Sequence, residues 1–201
     1  MDLEVVTEPT QTGIDIVSVA EMKQHMRITH SMLDDQIEAA IEEAAASLHG
    51  RRGILNRTIF PMRYVRYFSS WSACRRTIKL PYPPLIDVVA ITVDDGGSPL
   101  TEVDTSDYLV RAQGIVGEIQ FLSGVTLPTP VVSPRAIGVV YDAGYQEYPH
   151  NLRRLIKIIA AHNIENTEAT INEPRQMMIN RMVELGYGWL LNQLRVPYWE
   201  D

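Results

Sequence analysis

The sequence predicts an α+β fold, in which helices from both ends of the chain form a helical bundle with a mostly antiparallel β-sheet or small barrel inserted. Three observations predict it. Apolar residues recur at helical spacing near the N-terminus, β-branched and aromatic residues with frequent Pro and Gly fill the section from about residue 58 to 145, and helical spacing then returns. Helices from both ends then flank the sheet, which makes a bundle with an insertion the economical architecture.

The change from helical spacing to a strand-like pattern and back also predicts the domain boundaries. A single domain follows an acidic N-terminal extension and precedes a short C-terminal arm. The boundaries are 1–16 for the extension, 17–195 for the domain (helical in 17–55 and 147–195, β insertion in 57–145) and 196–201 for the arm.

Capping and periodicity define the N-terminal helices. Ser18 and Glu21 have the spacing of a capping box, and Gly50 supplies a stop signal for the second helix. Carboxylates such as Asp34, Asp35 and Glu42 fit a solvated face with favourable N-terminal charges. The apolar stripe predicts one side of the bundle core, formed by Leu33, Ile37, Ile41 and Leu48.

Turn residues divide the β section. Asp95-Gly96-Gly97 follows the apolar run "VVAITV" and predicts a hairpin turn. The prolines of "LPYPPL", residues 80–85, lack backbone donors, so this stretch is predicted to be an extended connector and not a central strand. Five or six short strands are expected in all.

The last section predicts a helix beginning near Pro149, which is tolerated in a first helical turn. This helix is apolar on most sides, so we expect it to be buried. It supplies the other half of the predicted bundle core, Leu152, Leu155, Ile156 and Ile159. A second apolar run reaches Leu194 and is interrupted at Gly186-Tyr187-Gly188, where a bend is expected.

Composition and motifs argue against several functions. The formal net charge of −7 disfavours a protein that wraps a DNA duplex. A lone cysteine, Cys74, excludes an internal disulfide framework. The sequence contains no phosphate-binding Gly-rich loop and no H-E-x-x-H zinc motif. It also shows no signal peptide and no stretch apolar enough to span a membrane. We therefore predict no catalytic residues, no metal site, no cofactor and no enzymatic activity.

Two other functions remain open from the residues alone. A metal-dependent hydrolase would use Asp34, Asp35 and His162, which only the local density of carboxylates suggests. A ligand-binding module would use the inserted sheet as an aromatic platform for a sugar or a peptide. Its rings would be those of Tyr64, Tyr67, Trp71 and Tyr82.

The order of motifs resembles one known family. "VSVAEMKQHMRI", "LDDQIEAAIEEAAASLHGRRG", "IKLPYPPLIDVVAITV", "SDYLVRAQGIVGEIQFLSG", "AIGVVYDAGY" and "YPHNLRRLIKIIAAHNIENTEA" follow each other as in the phage head–tail connector (adaptor) family, in the β-insertion branch found in prophages and gene transfer agents. The resemblance runs from about Val17 to Leu194. The acidic extension, the "WSACRR" loop and the longer "TLPTPVVSPR" segment depart from the family pattern.

The resemblance implies a structural protein of a virion or phage-like particle, made in the bacterial host cytoplasm. It implies a ring of twelve identical subunits under the portal protein at the head–tail junction. A stopper or tail-completion protein would bind the far side of the ring. DNA would pass through the channel without sequence-specific binding, and no membrane would be involved.

The resemblance also implies that the C-terminal segment reaches the portal. Burying the rings of Tyr198 and Trp199 returns about 8–12 kcal/mol at most, and ordering six residues costs about 6–12 kcal/mol. One arm therefore binds weakly, whereas a ring of arms binds tightly. We expect deletion of 196–201 to leave a folded subunit that no longer attaches. The predicted portal-binding residues are Trp189, Leu190, Leu194, Val196, Pro197, Tyr198 and Trp199.

Overall fold

A computed structural model describes residues 2–50, 52–71, 77–112, 116–165 and 187–196. These residues divide into two compact units. The β unit contains the chain up to Pro9 and the section Phe60–Gln146. The helical unit contains Thr10–Ile59 and the described residues from Glu147 onwards.

Eight strands and five α-helices form in the described residues. The strands are β1 (Asp2–Thr7), β2 (Met62–Phe68), β3 (Thr77–Leu80), β4 (Leu85–Val93), β5 (Thr101–Glu102), β6 (Tyr108–Arg111), β7 (Gly117–Phe121) and β8 (Ile137–Ala143). The helices are α1 (Gly13–Ile16), α2 (Val19–Met26), α3 (Asp34–Leu48), α4 (His150–Glu165) and α5 (Gly188–Leu194).

The β unit contains two antiparallel sheets. The larger has the order β1-β2-β8-β4-β5, and the smaller has the order β3-β7-β6. Strand β8 is central in the larger sheet, where Val139 pairs with Arg66 of β2 on one side and with Ile91 of β4 on the other. The connector "LPYPPL" ends β3 at Leu80 and begins β4 at Leu85, with the prolines outside both strands as predicted.

Strand β4 contains two bulges, one between Leu85 and Asp87 and one between Val88 and Ala90. Each bulge inserts one extra residue into the strand. The next side chain on the same face of the sheet is therefore three residues further along instead of two. Leu85, Val88 and Ile91 therefore all point into the core, while Val89 is left exposed.

The core of the β unit surrounds Tyr141, which is fully buried. Its hydroxyl donates to the Pro81 carbonyl at 3.1 Å, and its ring stacks on Tyr64 with 5.6 Å between centroids. Burial raises the pKa of Tyr141 well above its ordinary value, so the phenol stays neutral and acts as a donor.

Ion pairs with one arginine stabilise the first strand at the edge of the larger sheet. Arg135 donates to both Asp2 oxygens at 2.6 and 3.1 Å, and it lies 2.6 Å from Glu4. Its guanidinium also covers the Tyr67 ring at 4.8 Å. These carboxylates raise the pKa of Arg135. The acidic N-terminal segment therefore forms an edge strand, which its polar composition did not predict.

Helix α2 of the helical unit begins with the predicted capping box. Glu21 N–H donates to the Ser18 hydroxyl oxygen at 3.2 Å, and Ser18 N–H donates to the Glu21 carboxylate at 3.3 Å. Helix α3 ends at Leu48, and Gly50 follows with a φ of +73°, as the stop signal predicted. No helix within the described ranges is long and apolar enough to cross a membrane.

Helix α3 also caps a neighbouring helix. The Glu42 carboxylate accepts from the backbone N–H groups of Gly13 and Ile14 at 2.8 and 3.2 Å. These groups begin α1 and have no partner inside that helix. Glu42 therefore has a structural role, although the sequence placed it on a solvated face.

The predicted helical bundle with one inserted sheet or barrel is wrong. The described chain is α+β with two antiparallel sheets, and only α3 and α4, of 15 and 16 residues, are long. A bundle packs several long helices along their lengths. Apolar stripes showed which residues would be buried but not what would cover them.

Most of the residues predicted for the bundle core lie in the interior of the helical unit, and Leu33 is only half-buried where α3 begins. The buried ones are Ile37, Ile41, Leu48, Leu152, Leu155, Ile156 and Ile159.

The glycine after β8 gives a stability test. Gly144 has a φ of +132°, and a Cβ there would lie 2.5 Å from the Phe60 carbonyl oxygen. Gly124 also has a positive φ, +87°, but open space around it. We expect Gly124→Ala to cost about 1–2 kcal/mol for backbone strain. Gly144→Ala should cost about 1–3 kcal/mol more because of the clash. Urea denaturation checks this, and equal losses would contradict it.

Candidate assembly surfaces

The C-terminal helix α5 is amphipathic. Leu190, Leu191 and Leu194 are buried in the helical unit. Asn151 of α4 donates to the Gln193 side-chain oxygen at 2.7 Å. Trp189 lies on the other side of the helix and is 48% exposed, with the Arg154 guanidinium 5.9 Å from its ring centre. A large half-exposed ring beside a cation is an amphipathic contact surface of the kind found at protein interfaces.

The chain after α5 is held by its backbone. Val196 N–H donates to the Leu55 carbonyl at 2.9 Å, and the Asn56 side-chain amide donates to the Val196 carbonyl at 3.1 Å. The Val196 side chain is fully buried, and Asn56 is buried with a φ of +52°. Both backbone groups of Val196 are therefore satisfied at the point where the predicted arm begins.

The turn that holds Val196 depends on a histidine. The Ile59 N–H donates to His49 Nδ1 at 3.1 Å, which requires that nitrogen to be unprotonated. Burial lowers the pKa of His49 below its ordinary value of 6.5. The neutral imidazole thus joins the end of α3 to the chain beyond the turn.

The predicted portal-binding residues fall into three groups. Trp189 is exposed, whereas Leu190, Leu194 and Val196 are buried within the helical unit. Pro197, Tyr198 and Trp199 lie outside the described residues. The portal-binding assignment stays a prediction. Sequence periodicity could not separate Trp189 from its neighbours, because all four residues are apolar.

One of the candidate hydrolase residues has a structural partner. Lys23 Nζ donates to Asp34 Oδ1 at 2.7 Å. Within the described ranges, no group of three or more His, Cys, Asp or Glu side chains is placed to hold a metal ion. A cleft of about 310 Å³ is lined in part by Arg63 and Asp142, whose side chains already bind each other at 2.7 and 2.9 Å.

The aromatic platform considered for a ligand-binding module is not formed. Tyr64 and Tyr82 are buried in the core of the β unit. Trp71 packs edge-on against Phe121 at 5.2 Å, and its indole N–H donates to the Pro128 carbonyl at 2.7 Å. These rings stabilise the β unit and offer no shared face to a ligand.

Exposed apolar residues lie on one outermost strand of each sheet. Val5 and Val6 on β1 are 47% and 54% exposed, and Leu109 and Val110 on β6 are 52% and 38% exposed. In the sheet order of the described chain, β1 ends the larger sheet and β6 ends the smaller one. Unpaired edge strands of this kind are templates for pairing with another chain.

Comparisons with known proteins find the same fold in chains of solved particle structures. No family model matches the sequence, and no curated protein matches it. Solved structures do match. A chain from the neck of an empty GTA particle computed with C6 symmetry has a TM-score of 0.68 at 19% identity, over 100% of this chain and 98% of that one. This protein has the fold of a gene transfer agent particle chain.

Two further structures agree over the same shares of both chains. A chain from the virion of a native gene transfer agent particle gives a TM-score of 0.69 at 18% identity. A chain from the neck of a native GTA particle computed with C12 symmetry gives 0.63 at 18% identity. At such identities the likeness shows a common fold, and function has to be argued from surfaces.

The neutral His49 makes stability depend on pH. Its folded pKa is depressed, so unfolding takes up a proton and stability falls with decreasing pH. Its contribution is complete above about pH 6.5 and is lost as the pH falls through the folded pKa. The slope is at most about 1.4 kcal/mol per pH unit. Urea denaturation of the wild type from pH 8 to pH 5 measures it.

His49→Asn is the matched control, because its side-chain oxygen keeps an acceptor near the Nδ1 position but does not titrate. We expect a shallower pH slope in this variant. Identical slopes in the two proteins would show that His49 is not responsible.

Proposed function

We propose that this protein is a structural head–tail adaptor of a tailed phage or gene transfer agent particle. In this role it forms a ring under the portal, extends the DNA channel and receives a stopper or tail-completion protein. The observation that carries the proposal is the likeness, over the full length of the chain, to chains from particle necks and a virion. The motif order of the sequence supports the same assignment independently.

A ring of twelve copies is the proposed assembly. One similar chain belongs to a neck computed with C12 symmetry, which has twelve equivalent positions around its axis. Another belongs to a neck computed with C6 symmetry. A closed ring buries the same two surfaces at every junction. The exposed apolar residues of β1 and β6 are suitable for such junctions, because they are costly to leave in water.

The charge of the chain suits a DNA channel. A net charge of −7 on each subunit disfavours tight binding to phosphates, so DNA would slide through the ring without sequence-specific contacts. No cofactor and no chemical step are needed for this role.

We further propose that the chain end contacts the portal. The buried residues Leu190, Leu194 and Val196 would hold the exposed Trp189 in place and fix the start of the arm at the Leu55–Asn56 turn. Residues 197–201 would supply the rings that the portal binds. Twelve such arms would combine weak individual contacts into stable attachment.

Electron microscopy of purified particles tests the proposal. We expect a ring of twelve copies of this 22.7 kDa chain between the portal and the stopper at one vertex of the capsid. Mass spectrometry of the same particles should detect the protein. Particles that have tails but lack this chain would contradict the adaptor assignment.

Truncations test the arm. Val196 is buried and hydrogen-bonded, so the informative deletion starts one residue later than sequence alone suggested. Deleting 197–201 should leave the midpoint of urea unfolding unchanged. Because the deletion removes the proposed portal-binding rings, it should reduce capture by immobilised portal protein about tenfold or more, which corresponds to a loss of about 1.4 kcal/mol or more in binding free energy.

Deleting 196–201 is the matched control. It should also destabilise the subunit, by about 1.5–3 kcal/mol, because it removes the buried Val196 side chain. Undiminished capture of the protein that lacks 197–201 would refute the arm.

A further inference from the structure

In the part of the chain that the structure describes, no strand pairs with the outer edge of β1. Asp94 N–H donates to the Ala136 carbonyl, which makes these opposite residues a hydrogen-bonded pair. Because such pairs alternate along an antiparallel ladder, the backbone groups of even-numbered residues in the following strand β8 point to β4, and those of odd-numbered residues point to β2. Val65 lies opposite Val140, whose backbone groups point to β4. The backbone groups of Val65 therefore point to β1, where Val65 pairs with Glu4. Because the direction alternates, the N–H and C=O groups of Leu3 and Val5 point outward.

The outer edge of β6 is also open. Leu122 N–H donates to the Asp107 carbonyl at 2.9 Å, so residues 109 and 111 direct their backbone groups at β7. The groups of Tyr108 and Val110 then point away from the smaller sheet. In the sheet order of the described residues no strand lies beyond β6.

The two edges are complementary in polarity and charge. Val5 and Val6 are exposed on β1, and Leu109 and Val110 are exposed on β6. Among the described residues, Asp2 and Glu4 of β1 both bind the guanidinium of Arg135, and this group of two carboxylates and one cation has a net negative charge. Strand β6 ends in the exposed Arg111.

We propose that β1 of one subunit pairs antiparallel with β6 of the next subunit. Val5 lies opposite Val110 as a hydrogen-bonded pair, with Glu4 opposite Arg111. The bulge of β1 between Val5 and Thr7 ends the regular register there. This register matches the outward backbone groups on both edges and pairs apolar with apolar side chains. It also brings the carboxylate to the guanidinium in the closer, non-hydrogen-bonded type of pair.

The occupant of each edge is thus a second copy of this chain. Every copy has one β1 edge and one β6 edge, so the contact joins two different surfaces. In a pair of subunits, the β6 edge of one copy and the β1 edge of the other stay available for further copies. Repetition of such a contact generates a ring where the rotation closes. The pairing deepens the proposed adaptor function and rests on it for the closed ring. The edge contact itself is a property of this chain alone.

Disulfide trapping tests the pairing in the full-length protein. Cys74→Ser provides the background, and two tagged chains of different size carry Val5→Cys and Val110→Cys separately. Hydrogen-bonded antiparallel pairs place their Cα atoms about 5.5 Å apart, within the range of a disulfide. We expect the mixed dimer to form several-fold faster than either homodimer under mild oxidation. Trapping captures brief contacts, so a preformed ring is not needed.

Val132→Cys is the matched control, because Val132 is a fully exposed valine of the same unit outside both strands. It should cross-link to Val110→Cys several-fold more slowly than Val5→Cys does. Adding Arg111→Glu to the Val110→Cys chain should slow the mixed dimer several-fold. Equal rates for Val5→Cys and Val132→Cys would overturn the pairing.

The outcomes separate this inference from the adaptor function. A ring seen in particles without selective trapping of Val5→Cys by Val110→Cys would refute the pairing and leave the adaptor assignment intact. Selective trapping of Val5→Cys by Val110→Cys, with the protein absent from particles, would support the pairing and refute the adaptor assignment. Protection of both cysteines by portal or stopper protein, without mixed dimers, would show that another chain occupies these edges and would refute pairing between copies.

Discussion

Backbone N–H and C=O groups need hydrogen-bond partners, and this requirement decides which parts of the chain are fixed and which remain available to a neighbour. Where the fold supplies both partners, as for Val196 between Leu55 and Asn56, the backbone is held and the side chain is buried. Where a strand is the last of its sheet, as for β1 and β6, half of its groups face outward. The same rule thus separates the interior from the candidate assembly surfaces.

Local signals in the sequence predicted local structure well. The Ser18–Glu21 capping box, the Gly50 stop and the prolines between β3 and β4 all act through groups a few residues away, and the structure contains each of them. The pairing of strands into two sheets was not predictable in this way. Alternation marks a strand but does not say which other strand lies beside it.

The first strand illustrates a long-range effect. Asp2 and Glu4 disfavour a strand by intrinsic propensity, and the residue that offsets them, Arg135, lies more than a hundred positions further along the chain. The candidate surfaces divide similarly. A contact role for the C-terminal aromatic residues could be predicted from the sequence, and it stays a prediction. The open edges depended on sheet order, which only the structure supplied.

The hydrogen bonds that hold Val196 also fix the point from which the following chain starts. A chain advances at most about 3.3–3.6 Å per residue, so a neighbour that recognises residues soon after Val196 has to lie close to the Leu55–Asn56 turn. Distance therefore selects the neighbour before side-chain chemistry does.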